Sequence, residues 1–153
     1  MTITTAWPEL LGERWDAGRA ASDAARAEAV GRKAGFTVQS IVQRTMLLDT
    51  LQGTSVVVSA GPLGVSLLRE EEWQSHPNLR ILADLSPSTP PGIGGIETVD
   101  AGNIRSGKIV FGALGLGSLK MKVHRACVAR LFETRDQVLD RLTIYDVARS
   151  VLA

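Results

Sequence analysis

Residues 54–64 read TSVVVSAGPLG, a β-branched run that ends in a glycine-containing turn. The run lacks polar alternation, which predicts that Thr54–Ala60 is a central strand of a parallel sheet with both faces covered. Two runs of similar character follow, LRILADL at 79–85 and KIVFGAL at 108–114. Together the three runs predict one mostly parallel sheet.

Four other segments have the composition of helices. They lie at Asp16–Gly35, Thr45–Leu51, Ser118–Phe132 and Thr143–Leu152. Gly53 would end the second helix in a left-handed conformation, and the first residues of the last two helices are the expected N-caps. A further strand is predicted at Thr37–Gln43. Helices alternating with strands predict an α/β fold, with a Rossmann-like, mostly parallel sheet and flanking helices.

Three loops rich in glycine follow the predicted strands. They read SAGPLG at 59–64, DLSPSTPPGIGG at 84–95 and GALGLGS at 112–118. Ligands of open parallel sheets bind beyond the carboxyl ends of the strands, where glycine lets backbone N–H groups approach a phosphate or a ring. Each loop alone is explained as well by chain turning, but three at one edge of the sheet predict a ligand site.

The segment Gly102–Phe132 is locally cationic, with six Lys or Arg and no Asp or Glu. Lys120 and His124 are four residues apart and share a helix face, and an anionic ligand is favoured near the start of that helix. A solvated basic face explains the same spacing, with His124 as a surface histidine. Cys127 is expected to be a small core residue.

The overall composition is that of an ordinary globular chain, with 153 residues, 44% hydrophobic residues and a formal net charge of +1. The near-neutral charge argues against a nucleic-acid partner, and no run approaches the roughly eighteen apolar residues of a membrane helix. The single cysteine, Cys127, allows no intrachain disulfide and no cysteine metal cluster. We read no signal peptide in the first residues, so we expect a cytoplasmic protein without a metal.

Three motifs occur in order between Ile81 and Phe132: PPGIGGI, G-K-x-x-x-G-A-L-G-x-G and L-K-x-K-x-H-R-A-C. Together they resemble the C-terminal region of NAD(P)-dependent methylene-tetrahydromethanopterin dehydrogenases, and the similarity extends upstream to about Leu11. The resemblance implies an oxidoreductase of one-carbon metabolism and formaldehyde oxidation. Such an enzyme transfers hydride from the methylene carbon of a tetrahydromethanopterin-type carrier to NAD or NADP.

The resemblance also implies site residues by position. Those that would contact the cofactor are Arg14, Ser59, Ala60, Gly61, Pro62, Gly94 and Gly95. Arg14 would meet the adenosine ribose or its phosphate, and Glu13 beside it leaves NAD and NADP both open. Lys120 would face the pterin substrate. No catalytic residue is assigned, because orientation and electrostatics rather than a protein nucleophile promote hydride transfer.

The family's first nucleotide-domain strand and its glycine-rich phosphate loop have no counterpart here, since no G-x-G-x-x-G occurs in the sequence. Residues 1–10 are too few for that strand, loop and helix, so Pro8–Arg14 is predicted to end the second strand. In the usual order 3-2-1-4 the absent strand is central, and both of its neighbours would lose a pairing partner. We therefore expect residues 1–153 to form one partial, N-terminally truncated NAD(P)-binding domain, inactive alone.

Two other functions stay open at this point. One is a shortened, non-catalytic relative that binds a nucleotide or a partner chain, and the other is an α/β domain that binds another anionic or folate-like ligand. The final helix, 143–153, is expected to dock on a missing domain or a partner. A homo-oligomer and a complementing N-terminal chain are both expected forms of assembly.

Overall fold

The computed structural model describes residues 2–5, 25–26, 28–29, 32–33, 37–40 and 44–152. The strands are β1 (Thr2–Thr5), β2 (Thr37–Ser40), β3 (Val56–Ser59), β4 (Ile81–Asp84), β5 (Ala101–Arg105) and β6 (Lys108–Phe111). The helices labelled here are α1 (Arg44–Leu51), α2 (Glu70–Trp73), α3 (Ala113–Leu131) and α4 (Arg141–Leu152). These elements confirm the predicted α/β fold.

The described strands form two sheets. Strands β1 and β2 make a parallel pair, and the other four lie in the order β3-β4-β6-β5. In the four-stranded sheet β3, β4 and β6 are parallel, whereas β5 is antiparallel to β6. The β5–β6 hairpin closes through Ser106 and Gly107, whose φ angles of 49° and 73° give the two left-handed positions of a tight hairpin turn.

One face of the four-stranded sheet carries the core. Val57, Leu82 and Val110 are aligned across three neighbouring strands, and the last two are fully buried. They pack with buried side chains from α1, α2 and the loops, which are Leu51, Leu68, Trp73, Leu79, Ile93 and Ile96. Because successive strand residues face opposite sides, the residues on either side of this row point to the other face.

That other face is incompletely covered. Val56 is 48% exposed, Val58 59% and Ile109 41%. Parallel sheets are usually covered on both faces. Among the residues that the structure describes, β3 is an end strand of the four-stranded sheet, whereas Ile109 lies on the inner strand β6. Within the described residues the prediction that this strand is central is wrong, because the described strand before it in the chain, β2, pairs with β1.

The first part of the chain is described only in pieces. Strand β1 was not predicted, and the predicted strand end at Pro8–Arg14 lies outside the described residues. The predicted strand at 37–43 is observed over Thr37–Ser40. Within the predicted helix at 16–35, the described residues 25–26, 28–29 and 32–33 are helical.

Helix α1 agrees with prediction to within one residue, but its ending does not. Gly53 has no positive φ, so it does not act as a left-handed cap. Instead the Gln52 N–H donates to the Asp49 carbonyl at 3.1 Å and the Thr54 N–H to the Leu51 carbonyl at 2.9 Å. These turn hydrogen bonds satisfy the last carbonyls without the special backbone conformation.

Helix α3 begins at Ala113, five residues earlier than predicted, so residues 113–118 of the glycine-rich segment are helical and not a loop, and Gly112 is the extended N-cap residue. The amides of Leu114 and Gly115 donate to the Thr98 carbonyl at 2.7 and 3.1 Å, which holds this first turn. A Cβ on Gly115 would overlap the Asp100 carbonyl oxygen. Glycine is thus needed here for close packing of helix against backbone, and Ser118 is not the N-cap.

Helix α4 begins two residues earlier than predicted, and its N-cap is Asp140 instead of Thr143. An Asp140 carboxylate oxygen accepts hydrogen bonds from the Thr143 backbone N–H at 2.9 Å and its hydroxyl at 2.8 Å. The backbone bond lowers the pKa of Asp140 from its ordinary value. Helix α2 and strand β5 were not predicted.

Candidate functional site

Two polar residues lie side by side where β3 and β4 end. Ser59 and Asp84 are opposite each other in the parallel register, and they are only 5% and 2% exposed. Both therefore lie at the carboxyl edge of the sheet, where ligands of open α/β sheets bind. The Leu85 N–H donates to the Ser59 carbonyl at 2.9 Å and continues the pairing past the strand end.

The Asp84 carboxylate organises the loop that follows it. One oxygen accepts the Ser86 N–H at 3.0 Å, and the other accepts the Ile93 N–H at 3.1 Å. A buried carboxylate is tolerated when such donors replace water. Asp84 thus fixes both ends of the glycine-containing loop over the strand.

Gly92 completes this arrangement. A Cβ on Gly92 would lie 2.5 Å from Ser59 Oγ and 2.8 Å from an Asp84 carboxylate oxygen, so a side chain cannot be added without movement. Ser59 Oγ is buried and has no hydrogen-bond partner among the described residues. A hydroxyl in that state is uncommon in proteins and marks a place where a polar group of a ligand or a water would be stabilised. We call Ser59, Asp84 and Gly92 the strand-end cluster.

The loops after β3 and β4 are braced against each other. The Gly92 carbonyl accepts the amides of Leu67 and Leu68 at 2.8 and 3.1 Å, and the Gly94 N–H donates to the Leu68 carbonyl at 2.8 Å. Nearer the tips, the Gly64 N–H donates to Ser88 Oγ at 2.9 Å. The two loops therefore form one backbone-braced surface at the sheet edge.

The structure brings the predicted residues 59–62 to this surface. Ser59 is inside the cluster, Ala60 and Pro62 are exposed, and Gly61 packs against the Leu67 side chain. Sequence reasoning missed Asp84 and Gly92 as members of the site. The available signal was an acidic residue at the end of a buried strand, followed by the first glycine of PPGIGG.

Gly94 and Gly95 lie against the start of α2. A Cβ on Gly94 would be 3.1 Å from the Glu70 backbone nitrogen, and Gly95 has a φ of 80° with Glu70 side-chain atoms close by. The Gly94 carbonyl accepts the Trp73 indole N–H at 2.8 Å. These contacts give both glycines a packing role, while their predicted contact with a cofactor stays a prediction.

Helix α2 is itself fixed by a partly buried ion pair between Arg44 and Glu72. The Glu72 carboxylate accepts the Arg44 Nε–H at 2.6 Å, a second bond from the same guanidinium, and the Arg69 backbone N–H at 2.7 Å. Burial alone would raise the pKa of Glu72, but the hydrogen bonds from Arg44 and the Arg69 backbone outweigh it and lower that pKa. This pairing connects α1 to the helix that supports Gly94 and Gly95.

The basic helix α3 differs from the strand-end cluster. Lys120, Lys122, His124 and Arg125 are all exposed, whereas Cys127 is buried as predicted. Lys120 is in the third turn, beyond the first turn where the helix dipole acts. Because the Thr98 carbonyl already binds the amides of Leu114 and Gly115, the helix start does not offer those donors to an anion.

Beside that helix start lies an open, mostly apolar depression of about 240 Å³, lined by Val99, Ala101, Leu114, Gly115 and Ser118. The predicted cofactor contact Arg14 is outside the described residues. The part of the chain that the structure describes contains no group of three or more His, Cys, Asp or Glu that could hold a metal. Nor does any described helix have the length and apolar character needed to cross a bilayer.

Comparison with known proteins finds two relatives, each similar to this chain over only part of its own length. The Bifunctional protein MdtA of Methylorubrum extorquens is 37% identical over 142 residues, which is 93% of this chain and 48% of that protein. The NAD(P)-dependent methylenetetrahydromethanopterin dehydrogenase of the same organism is 35% identical over 97 residues, 61% of this chain and 32% of that enzyme. No protein-family model matches the chain.

The chain thus spans about half the length of the first relative and a third of the second. It is a partial and distant homologue of an NAD(P)-dependent dehydrogenase.

Proposed function

We propose that this chain is the NAD(P)-binding part of a methylene-tetrahydromethanopterin dehydrogenase. The single observation that carries the proposal is the strand-end cluster, where a buried hydroxyl without a described partner faces a glycine and a buried carboxylate. Its position at the carboxyl edge of parallel strands is the usual place for a nucleotide in this fold class. The partial homology to an NAD(P)-dependent dehydrogenase supports the same ligand class.

The residues fit one end of such a cofactor. The exposed residues Ala60 and Pro62, next to the buried polar pair Ser59 and Asp84, suit a flat ring carrying hydrogen-bonding groups. The sequence has no G-x-G-x-x-G turn to hold phosphates. We therefore assign the nicotinamide end of NAD or NADP to this surface.

NAD or NADP bound here would supply the hydride acceptor for the methylene carbon of a tetrahydromethanopterin-type carrier, which would become a methenyl cation. The chain's own contribution is positional. Asp84 fixes the loop through the Ser86 and Ile93 amides, which holds Gly92 over Ser59. A rigid surface of this kind lowers the entropic cost of orienting two reactants.

The test is a calorimetric titration of the purified chain with NAD, NADP and a methanopterin analogue. We expect weak nucleotide binding that Ala60→Trp abolishes, because a large side chain at this exposed position would cover the strand-end surface. Ala129→Trp is the matched control, since Ala129 is an exposed alanine on α3. The proposal for this chain would be contradicted if neither NAD nor NADP bound, or if both variants lost nucleotide affinity equally.

A further inference from the structure

The two edges of the four-stranded sheet are constructed differently. The outer edge of β5 has a bulge between Ala101 and Asn103, and the Asn103 side chain accepts the Ala101 backbone N–H at 3.0 Å. Arg105 on the same strand pairs with Asp100 and Glu97 at 3.0 Å. Bulges and charged side chains are how proteins keep an exposed edge from pairing with other chains. The β5 edge is therefore protected.

The β3 edge has none of these devices. Its sequence is VVVS, with no charged residue, proline or bulge. The Ser55 and Ser59 carbonyls accept N–H groups of Ile81 and Leu85 at 3.2 and 2.9 Å, so the odd-numbered residues direct their backbone groups toward β4. By alternation, the N–H and C=O groups of Val56 and Val58 point outward. Within the described residues no strand pairs with that side.

The exposed face of the sheet adjoins this edge. Val56 aligns with Ile81 and Ile109 across three strands, and both Val56 and Ile109 are substantially exposed. A strand placed on the edge would satisfy the outward backbone groups but would leave these side chains uncovered. A strand connected to an amphipathic helix would satisfy both, because the helix of a β–α unit packs on the face of the sheet it extends.

We propose that the β3 edge and the face formed by Val56, Val58 and Ile109 are one docking surface for a β–α unit of a partner polypeptide. The strand of this unit is apolar and parallel to β3, and its helix covers the exposed face. A second copy of this chain does not fit as well. Two β3 edges related by a twofold axis would extend the sheet sideways and leave the same side chains exposed.

The choice of partner rests on the proposed function, because the partner is taken from a protein similar to this chain. The Methylorubrum extorquens protein has about half its length outside the region similar to this chain, so a segment of the required kind has room there. The probe is therefore that remaining part of the protein, produced as a separate, fluorescently labelled polypeptide. Binding to the full 153-residue chain is followed by anisotropy.

We expect saturable binding that Val58→Lys weakens about tenfold or more, because a charge at the edge opposes strand pairing. Val56→Lys provides a second edge variant in case the first is poorly folded, and circular dichroism checks both. Ile104→Lys is the matched control, since Ile104 is 77% exposed on the protected β5 strand. Equal loss in edge and control variants, or no binding to any of the four proteins, would overturn the proposal.

Residue-resolved hydrogen exchange on the chain alone gives an independent test. We expect the outward amides of Val56 and Val58 to exchange faster than the inward amide of Val57, and to become protected when the probe is added. Protection of all three in the isolated chain would refute a free edge. Concentration-dependent dimerisation that Val58→Lys abolishes would instead identify a second copy as the occupant. Docking at the β3 edge is measured without nucleotide, whereas the proposed function is tested by nucleotide titration. Failure of one can therefore be distinguished from failure of the other.

Discussion

Gly92 and Gly115 both occupy places where a side chain would collide, but the atoms they would meet are different. At Gly92 a Cβ would meet the ends of two polar side chains, Ser59 Oγ and an Asp84 oxygen. At Gly115 it would meet the backbone carbonyl of Asp100. The first glycine belongs to the strand-end cluster, where polar groups converge. The second allows α3 to pack closely on the backbone of Asp100, so one glycine lies in the candidate site and the other serves packing.

The largest effect is expected for Gly115→Ala. The Asp100 carbonyl is backbone and cannot move aside, so overpacking should lower the free energy of unfolding by about 3 kcal/mol. Urea denaturation measures this. Gly117→Ala is the control in the same helix, because nothing lies within 4 Å of its Cβ position. Alanine there should stabilise the helix by about 0.5–1 kcal/mol, and a similar change in both variants would contradict the assigned contact.

Gly92→Ala should have a smaller effect, about 1–2 kcal/mol, because the side chains it meets can shift. Ser59→Ala removes the nearer of the two atoms. The double variant should therefore be less destabilised than the sum of the single variants, by about 0.5 kcal/mol or more in a double-mutant cycle. Strict additivity would show that Gly92 and Ser59 do not interact. Gly53→Ala serves as the control, since its Cβ position is open and its φ is not left-handed.

The support beneath Gly94 and Gly95 should depend on pH through Glu72. Its pKa is lowered in the folded chain, so its ion pair contributes stability above the ordinary value of 4.5, and this contribution is lost as pH falls through the folded value. Urea midpoints measured from pH 7 to pH 3 should fall less steeply in Glu72→Gln than in the parent chain. Glu133 is exposed and provides the control: the urea midpoints of Glu133→Gln should vary with pH as they do in the parent chain. Parallel profiles for the parent chain and Glu72→Gln would refute the pairing.

Lys120→Ala should have the smallest structural effect, within about 0.5 kcal/mol, because the side chain is exposed on α3. In an active dehydrogenase that contains this chain, we expect it to weaken pterin use much more than nucleotide binding. Steady-state kinetics with separate variation of the two substrates measures this, with Lys122→Ala as the neighbouring control. Equal loss toward both substrates would show that Lys120 does not face the pterin.

The sequence was sufficient for the strands that form the core. The runs at 54–60, 79–85 and 108–114 each contain an observed parallel strand, because their β-branched and other large apolar residues fit a pleated sheet with a buried face. It was insufficient for β5, whose residues AGNIR carry a bulge and little apolar character. That strand depends on its hairpin partner and not on its own propensity.

The site was predicted in part for a similar reason. The positions 59–62 follow directly from where a strand ends, but Asp84 and Gly92 join them only through hydrogen bonds between two loops. Gly115 and Gly117 were misassigned to a loop because glycine is a common breaker of helices. The backbone contacts that hold Gly115 in the first turn of α3 come from Thr98 and Asp100, which sequence spacing does not show.

The hydrogen bond between Trp73 and the Gly94 carbonyl has an optical consequence. Trp73 is fully shielded from solvent, and its indole N–H donates to the Gly94 carbonyl, in the loop that also contains Gly92 of the strand-end cluster. With Trp7 and Trp15 replaced by Phe, this indole would be the sole tryptophan emitter of the chain. A ligand that displaces the loop would alter the emission maximum and lifetime of that fluorophore, so the native side chain can serve as an intrinsic sensor of events at the sheet edge.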